Sequence, residues 1–212
     1  MKSAPRIRPA QPLTLERLSD AAQEASIAET LKGWNARHDL WLFGYGSLMW
    51  NLGCEYSQRI PARVFGYHRS FCLWSRINRG TPEAPGLVLA LERGGSCAGF
   101  AFRISRECVG DFMLPLWRRE MQYGSYHPRW LACHTKKGVR KALGFAINPH
   151  SNGYCGHLDE EDRVECIVQG RGIYGTSADY LFNTVQSLEE LGIRDHGLQR
   201  LAECVRARLG QP

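Results

Sequence analysis

The apolar positions of this chain change their spacing twice along its length. Between residues 40 and 147 they form short runs bounded by Gly and Pro, a pattern typical of strands. These runs cover residues 40–43, 64–67, 71–74, 87–91, 100–104 and 143–147. Helical spacing precedes them, at Leu15, Leu18, Ala22, Leu31 and Trp34. The pattern predicts a sheet or small barrel with a helix before it.

One helix interrupts the strands and two more follow them. Ser105 is placed to cap the start of the first and Gly124 to end it. Its apolar stripe consists of Val109, Phe112, Met113, Leu116 and Trp117. The two C-terminal stripes follow capping candidates, Thr176 with Asp179 three residues later, and Asp195. Strands first and helices later, without regular βαβ alternation, indicate an α+β fold.

Composition adds little to this picture except at the N-terminus. A chain of 212 residues with 43% apolar content suits one domain. We divide it into residues 1–38, a flexible arm and accessory helix, and residues 39–210, the folded domain. The formal charge of +6 permits an anionic partner. Because the basic residues are spread along the chain, a small acidic molecule suits them as well as nucleic acid, and we expect no nucleic-acid partner.

The N-terminal region and the cysteines bear on location. Residues 10–40 contain no apolar run as long as a signal peptide or membrane span requires. The eight cysteines include no CxxC pair, in a chain too large to need disulfides for stability. We therefore expect a cytoplasmic protein with reduced thiols, no membrane association and no obligate protein partner.

Glu120 is the first candidate for chemistry. It lies eleven residues after Val109, so at about 100° per residue the two are within roughly 20° on the helical wheel. The carboxylate therefore points with the apolar stripe, and Glu is almost never fully buried unless something holds it. Either it pairs with an Arg from a strand, or it lies at a frayed helix end and reaches solvent past Met121 and Tyr123. The third alternative is that it borders a pocket where desolvation raises its pKa toward the range useful for proton transfer.

The second candidate is the segment Phe43-Gly44-Tyr45-Gly46-Ser47-Leu48. It predicts a strand entering a turn whose glycines let the backbone approach a ligand, with successive N–H groups that could bind an anion. A third glycine and a following Lys are both missing, so neither a dinucleotide nor a phosphate-loop motif fits. A plain tight turn is the alternative.

Several motifs occur here in an order that resembles one known family. They are Trp41 to Trp50 around Gly-Tyr-Gly-Ser-Leu-Met, Gly66 to Phe71, Arg79-Gly80-Thr81 with Pro85-Gly86, Trp117 to Met121, and Asn152 to Gly156. In this order they resemble the ChaC-type γ-glutamylcyclotransferases over roughly residues 40 to 205. The resemblance implies a small mixed β-barrel or sheet with one catalytic helix inserted and C-terminal helices packed outside.

The resemblance also implies a lyase-type reaction of glutathione catabolism. Glutathione would be cyclised to 5-oxoproline with release of Cys-Gly, without a cofactor or metal, and Glu120 would accept and return the proton. The implied substrate-binding residues are Leu42, Phe43, Gly44, Tyr45, Gly46, Ser47 and Leu48. Arg79 is a candidate carboxylate clamp, and Tyr154 and Tyr180 are candidate pocket hydroxyls.

Other interpretations are weaker. Gly170-x-Gly172-x-x-Gly175 fits a dinucleotide fingerprint but lacks the βαβ unit that gives it meaning. The His and Cys residues between 127 and 157 match no common zinc spacing. Gly94-Gly95-Ser96-Cys97-Ala98 approximates a nucleophile elbow without its last glycine. The open alternatives are a cyclotransferase for other γ-glutamyl amines or amino acids, and a basic regulatory or binding protein without enzymatic activity.

Overall fold

A computed structural model describes residues 17–210. The predicted flexible arm over residues 1–13, and Leu15 of the first apolar stripe, lie outside the described residues. The described chain divides into two compact units. The first comprises residues 17–69 and 90–151, and the second comprises residues 70–89 and 152–210. The division between residues 38 and 39 remains a prediction.

A closed barrel of five strands forms the framework of the first unit, in the order β1-β3-β2-β4-β5. The strands are β1 (Leu40–Gly44), β2 (Gln58–Ser75), β3 (Gly86–Ile104), β4 (Tyr126–Thr135) and β5 (Gly138–Ile147). β1 is antiparallel to β3, and β4 is antiparallel to β5. β5 also pairs parallel with β1 and with β3. Residues 70–75 of β2 and 86–89 of β3 belong to the second unit.

The second half of β5 shows why its sequence is apolar at every position. Ala142 and Ala146 belong to a buried cluster with Phe43 and Tyr45. Phe145 points the other way and makes an edge-to-face contact with Trp117 at 5.4 Å between ring centroids. Because both faces of the strand are covered, strict alternation of apolar and polar residues is lost.

Two helices accompany the barrel in the first unit. They are α1 (Asp20–Leu31) and α2 (Val109–Glu120). The Trp117 indole of α2 donates to the Ser26 hydroxyl of α1 at 3.1 Å. One turn further along α1, the Trp130 indole of β4 donates to the Thr30 carbonyl at 3.1 Å. The helix in the N-terminal region therefore packs directly on the helix that carries Glu120.

β2 and β3 differ from the sequence prediction. Four short strands were expected between residues 64 and 104, but two long strands of 18 and 19 residues are present. The break expected in β3 contains Gly94 and Gly95, with φ of 103° and 65°, and Gly66, with φ of 80°, lies two residues before the break expected in β2. A glycine with positive φ can bend a strand or form a bulge without ending it. The glycines therefore shape continuous strands here.

The predicted ends of α2 also need correction. Ser105 makes no side-chain capping bond, because a short 3-10 helix, Arg106–Cys108, separates it from α2. Its hydroxyl instead donates to the Glu107 carboxylate. The helix ends at Glu120 rather than at Gly124, and the Met121 N–H still bonds the Trp117 carbonyl at 2.8 Å.

The second unit contains three helices and a small hairpin. The helices are α3 (Glu160–Gln169), α4 (Ser177–Glu190) and α5 (His196–Leu209). The predicted caps are present: Thr176 and Asp179 form a capping box, and Asp195 accepts from the Leu198 N–H. Helix α3 was not predicted from the sequence. With the barrel and these helices, the α+β prediction is confirmed.

The glycine motif at residues 170–175 is part of the small hairpin. It forms β6 (Arg171–Gly172) and β7 (Gly175–Thr176), joined by two residues. It follows a helix, whereas a dinucleotide fingerprint follows a strand. Across residues 17–210, no helix has both the length and the apolar character needed to cross a membrane.

Candidate active site

Glu120 is the last residue of α2 and its carboxylate is largely shielded from water. The helix buries the stripe that the sequence predicted, from Val109 to Trp117. The Glu120 side chain is 14% exposed. Burial raises the pKa of this carboxyl above its ordinary value of 4.5, and the nearby Arg119 cation acts in the opposite direction. Its position makes Glu120 a candidate for proton exchange near neutral pH.

Arg119 is the partner that sequence reasoning missed. Its Nε lies 3.2 Å from Glu120 Oε1. Its two terminal nitrogens donate to the Ser47 hydroxyl at 2.8 Å and to the Asn51 carbonyl at 2.6 Å. In the sequence Arg119 follows Arg118 and precedes Glu120, so it stands in a run of charged residues. No pattern in the sequence could have shown that the guanidinium reaches the segment after β1, because that contact spans about seventy residues of chain.

The segment after β1 turns into a short 3-10 helix, Ser47–Met49. The Ser47 and Leu48 N–H groups stand at the start of this helix, so they have no partner within it. Ser47 is half-buried, whereas Tyr45 and Leu48 are buried. The Arg119 guanidinium thus links the segment that carries these N–H donors to the Glu120 carboxylate.

The seven predicted substrate-binding residues divide into two groups. Leu42, Phe43 and Gly44 belong to β1, where the first two side chains have no exposed surface. A Cβ added at Gly44 would lie 2.9 Å from the Phe102 ring, so packing within the protein requires this glycine. The other four, residues 45–48, form the turn that offers backbone groups. The prediction of substrate binding rests on that turn.

Tyr45 and Phe145 hold the turn close to the barrel and α2. The Tyr45 hydroxyl donates to the Phe145 carbonyl at 2.9 Å. Phe145 also contacts Trp117, one helical turn before Glu120. The buried Arg69 donates from Nε to the Tyr45 carbonyl at 2.6 Å. Strand β5 therefore supports both the turn and the helix end.

The three further candidates belong to the second unit. Arg79 lies over the Tyr180 ring, with its Cζ 5.5 Å from the ring centroid, and Tyr180 also makes an edge contact with Phe71. Arg79 donates to the carbonyls of Tyr174 and Thr176. Tyr154 forms an isolated bridge with Leu73. The structure thus brings Arg79 and Tyr180 together, and all three roles remain predictions.

The chemistry available at this site is proton transfer beside backbone N–H donors. A shielded carboxylate can take a proton from an amine and return it, while N–H groups stabilise negative charge on an oxygen. Within the part of the chain that the structure describes, no group of three or more His, Cys, Asp or Glu side chains could hold a metal ion.

Comparisons with known proteins show which family this chain is similar to. A family model described as "ChaC-like protein" matches residues 40–208. The glutathione-specific gamma-glutamylcyclotransferase of Escherichia coli (strain K12) is 36% identical over 188 residues, 88% of this chain and 81% of that protein. Gamma-glutamylcyclotransferase 2-3 of Arabidopsis thaliana is 34% identical, over 81% of this chain and 91% of its own.

A solved structure is similar in fold. It is a crystal structure of the selenomethionine-labelled gamma-glutamyl cyclotransferase specific to glutathione from yeast. The TM-score is 0.73 at 22% identity, and the match covers 80% of this chain and 96% of the yeast chain.

Proposed function

This chain belongs to the ChaC-like family, and we propose that it is a glutathione-specific γ-glutamylcyclotransferase in which Glu120 moves the proton. The Escherichia coli relative is named a glutathione-specific gamma-glutamylcyclotransferase, and the Arabidopsis thaliana relative a gamma-glutamylcyclotransferase. The observation in the structure that carries the proposal is the shielded Glu120 carboxylate, linked through Arg119 to the turn at Ser47.

The substrate supplies both reacting groups. The α-amine of the γ-glutamyl residue attacks its own side-chain carbonyl carbon, and the new C–N bond closes a five-membered ring. The bond from that carbon to the cysteine nitrogen breaks, so the products are 5-oxoproline and Cys-Gly, and no water is consumed. Because the reaction is intramolecular, much of the entropic cost of bringing the groups together is already met.

Glu120 accounts for the proton. Free α-amines have a pKa near 8, so at neutral pH the attacking amine must lose a proton. The carboxylate accepts it and then gives it to the departing amine of Cys-Gly. On becoming an amide the attacking nitrogen loses a second proton, which passes through solvent to the same departing amine, so that amine ends as an ammonium and the protons balance. A carboxyl pKa raised by burial suits a group that performs both steps near neutral pH.

The turn at residues 45–48 accounts for the developing negative charge. As the amine attacks, the carbonyl oxygen becomes an oxyanion and needs donors already in place. The Ser47 and Leu48 N–H groups at the start of the short helix are our candidates. One well-placed donor of this kind is worth about 3 kcal/mol of transition-state stabilisation.

We also place the protein in the cytoplasm. None of the eight cysteines, all of which lie within residues 17–210, forms a disulfide, and reduced cysteines are usual in a reducing compartment. Burial raises the pKa of the Cys133 thiol to about 12 and that of Cys166 to about 12, so both remain protonated and poorly reactive.

Product analysis with the purified chain tests this function. Reduced glutathione should give equal amounts of 5-oxoproline and Cys-Gly. Glutathione acetylated on its α-amine is the matched substrate control, because it cannot cyclise and should be inert. Release of glutamate would indicate hydrolysis and contradict the mechanism. Faster turnover of γ-glutamyl-alanine than of glutathione would contradict the specificity, and no turnover of either would contradict the enzymatic function.

A further inference from the structure

The Arg119 guanidinium uses all three of its nitrogens on different groups. Nε contacts the Glu120 carboxylate at 3.2 Å, Nη2 donates to the Ser47 hydroxyl at 2.8 Å, and Nη1 donates to the Asn51 carbonyl at 2.6 Å. Ser47 begins the short 3-10 helix and Asn51 lies two residues beyond its end. Arg119 therefore spans the whole helix while contacting the carboxylate.

This arrangement differs from an ordinary surface ion pair. Exposed pairs contribute little because water screens them and their side chains are mobile. Here the Glu120 side chain is 14% exposed and that of Arg119 is 32% exposed. A planar guanidinium with three engaged nitrogens has one orientation, which the single ammonium group of Lys could not reproduce.

The neighbouring Arg118 provides an internal comparison. It lies on the same helical turn, its side chain is 50% exposed, and its contact is Asp20 of α1 at 3.8 Å. The charge of Arg119 lowers the Glu120 pKa, against the larger effect of burial. Two adjacent arginines thus have different environments.

We propose that Arg119 is a positioning residue for the cyclisation. It binds Ser47 and Asn51, and so holds the turn at residues 45–48 and the Glu120 carboxylate in one fixed arrangement. This inference rests on the proposed function, since it assumes that both groups act on one substrate. The turn supplies donors to the oxyanion and Glu120 exchanges the proton, so their separation must match the distance between the amine and the carbonyl oxygen. Arg119 sets that separation.

Three variants test the proposal: Arg119→Met, Arg119→Lys and the matched control Arg118→Met. Arg119→Met should lower kcat about 10²-fold, because misplacing catalytic groups by about 1 Å has effects of that size. Loss of the cation should also move the acidic limb of the kcat–pH profile to higher pH. Arg119→Lys keeps the charge and should leave that limb near its wild-type position, but with reduced kcat. Arg118→Met should stay within about twofold of wild type at every pH.

A merely structural role would give a different result. Arg119→Met would then lower kcat equally at all pH values, or match Arg118→Met, and either result would overturn the proposal. Full recovery of kcat in Arg119→Lys would also overturn it, since one ammonium group cannot hold both ends of the turn.

A titration of Glu120 separates this proposal from the proposed function. Carbon NMR of the side-chain carboxyl, in the wild type and in Arg119→Met, needs no turnover. The Glu120 pKa should be higher in the variant. If the wild type makes no product but the pKa moves, the function is wrong and the contact is real. If product forms and the pKa does not move, the role of Arg119 is wrong.

Discussion

Glu120 and Arg76 are both charged side chains with little contact with water, but they differ in their partners. Glu120, at the end of α2, lies 3.2 Å from the Arg119 guanidinium. Arg76, just after β2, is 4% exposed and donates from Nη2 to the Asn152 carbonyl at 2.9 Å. Its Nε and Nη1 are buried and have no hydrogen-bond partner among the described residues.

Burial acts against charge at both positions, with opposite effects on the pKa. It raises the pKa of the Glu120 carboxyl and lowers that of the Arg76 guanidinium to about 10. Arg76 still remains a cation at neutral pH, so its burial costs stability and gives no proton exchange. The pKa of the Glu120 carboxyl rises toward neutral pH, which favours both gain and loss of a proton. Under the proposed mechanism, the same desolvation therefore has a catalytic use only for the carboxyl.

Of the three changes that sharpen this comparison, the largest effect should come from moving the Glu120 carboxylate without removing it. Glu120→Asp shortens the side chain by one methylene, which breaks the 3.2 Å contact with Arg119. We expect kcat for glutathione to fall about 10²-fold, as for other catalytic groups displaced by about 1 Å. Steady-state kinetics at saturating glutathione would measure it, and a kcat within twofold of wild type would show that the position of the carboxylate is unimportant.

The next largest effect concerns the free energy of unfolding, which should respond differently to loss of the buried Arg76 and the buried Arg69. Arg76→Met removes an incompletely bonded cation and should leave the free energy of unfolding unchanged or raise it by about 1 kcal/mol. Arg69→Met is the matched comparison, since Arg69 is 8% exposed and donates to the carbonyls of Tyr45 and Ala98. It should lower stability by about 2 kcal/mol or more, because it leaves buried acceptors without donors. Urea unfolding measures both, and equal destabilisation would contradict the distinction.

The smallest effect concerns the pH dependence of stability. Because the Glu120 pKa is raised on folding, its contribution is fully present below the unfolded value and is lost as pH rises through the folded pKa. The Glu120→Gln side chain does not titrate. The free energy of unfolding of this variant, relative to wild type, should therefore increase as the pH rises from 4.5 through the folded pKa of Glu120. Urea unfolding at a series of pH values measures this difference, and a difference that decreases with pH would contradict the raised pKa.

The sequence predicted the elements that depend on local pattern. The helical wheel placed Glu120 with the apolar stripe, the caps at Thr176 and Asp195 were found, and the family resemblance and the α+β fold are confirmed. A break was expected in β2 where the polar residues 68–70 interrupt the apolar runs, and in β3 because glycine is the usual residue of turns. A bend and a turn have the same local signal. Helix α3 was missed because its acidic first turn hides a short stripe.

The contacts that make the site depend on the fold. Arg119 reaches Ser47 only because the barrel brings the two segments together, and nothing local distinguishes it from Arg118. Arg76 was not predicted to be buried, since Arg is usually exposed. A sequence pattern shows which face of a helix is apolar, whereas the partner of a polar group at its edge depends on tertiary structure.

The turnover of glutathione by Glu120→Gln tests the central claim most directly. The amide keeps the shape of the side chain but cannot accept the proton, so kcat should fall by at least about 10²-fold. Glu107→Gln, at an exposed carboxylate in the short helix before α2, is the matched control and should keep wild-type turnover. Near-normal formation of 5-oxoproline by folded Glu120→Gln would contradict the account and place the base elsewhere.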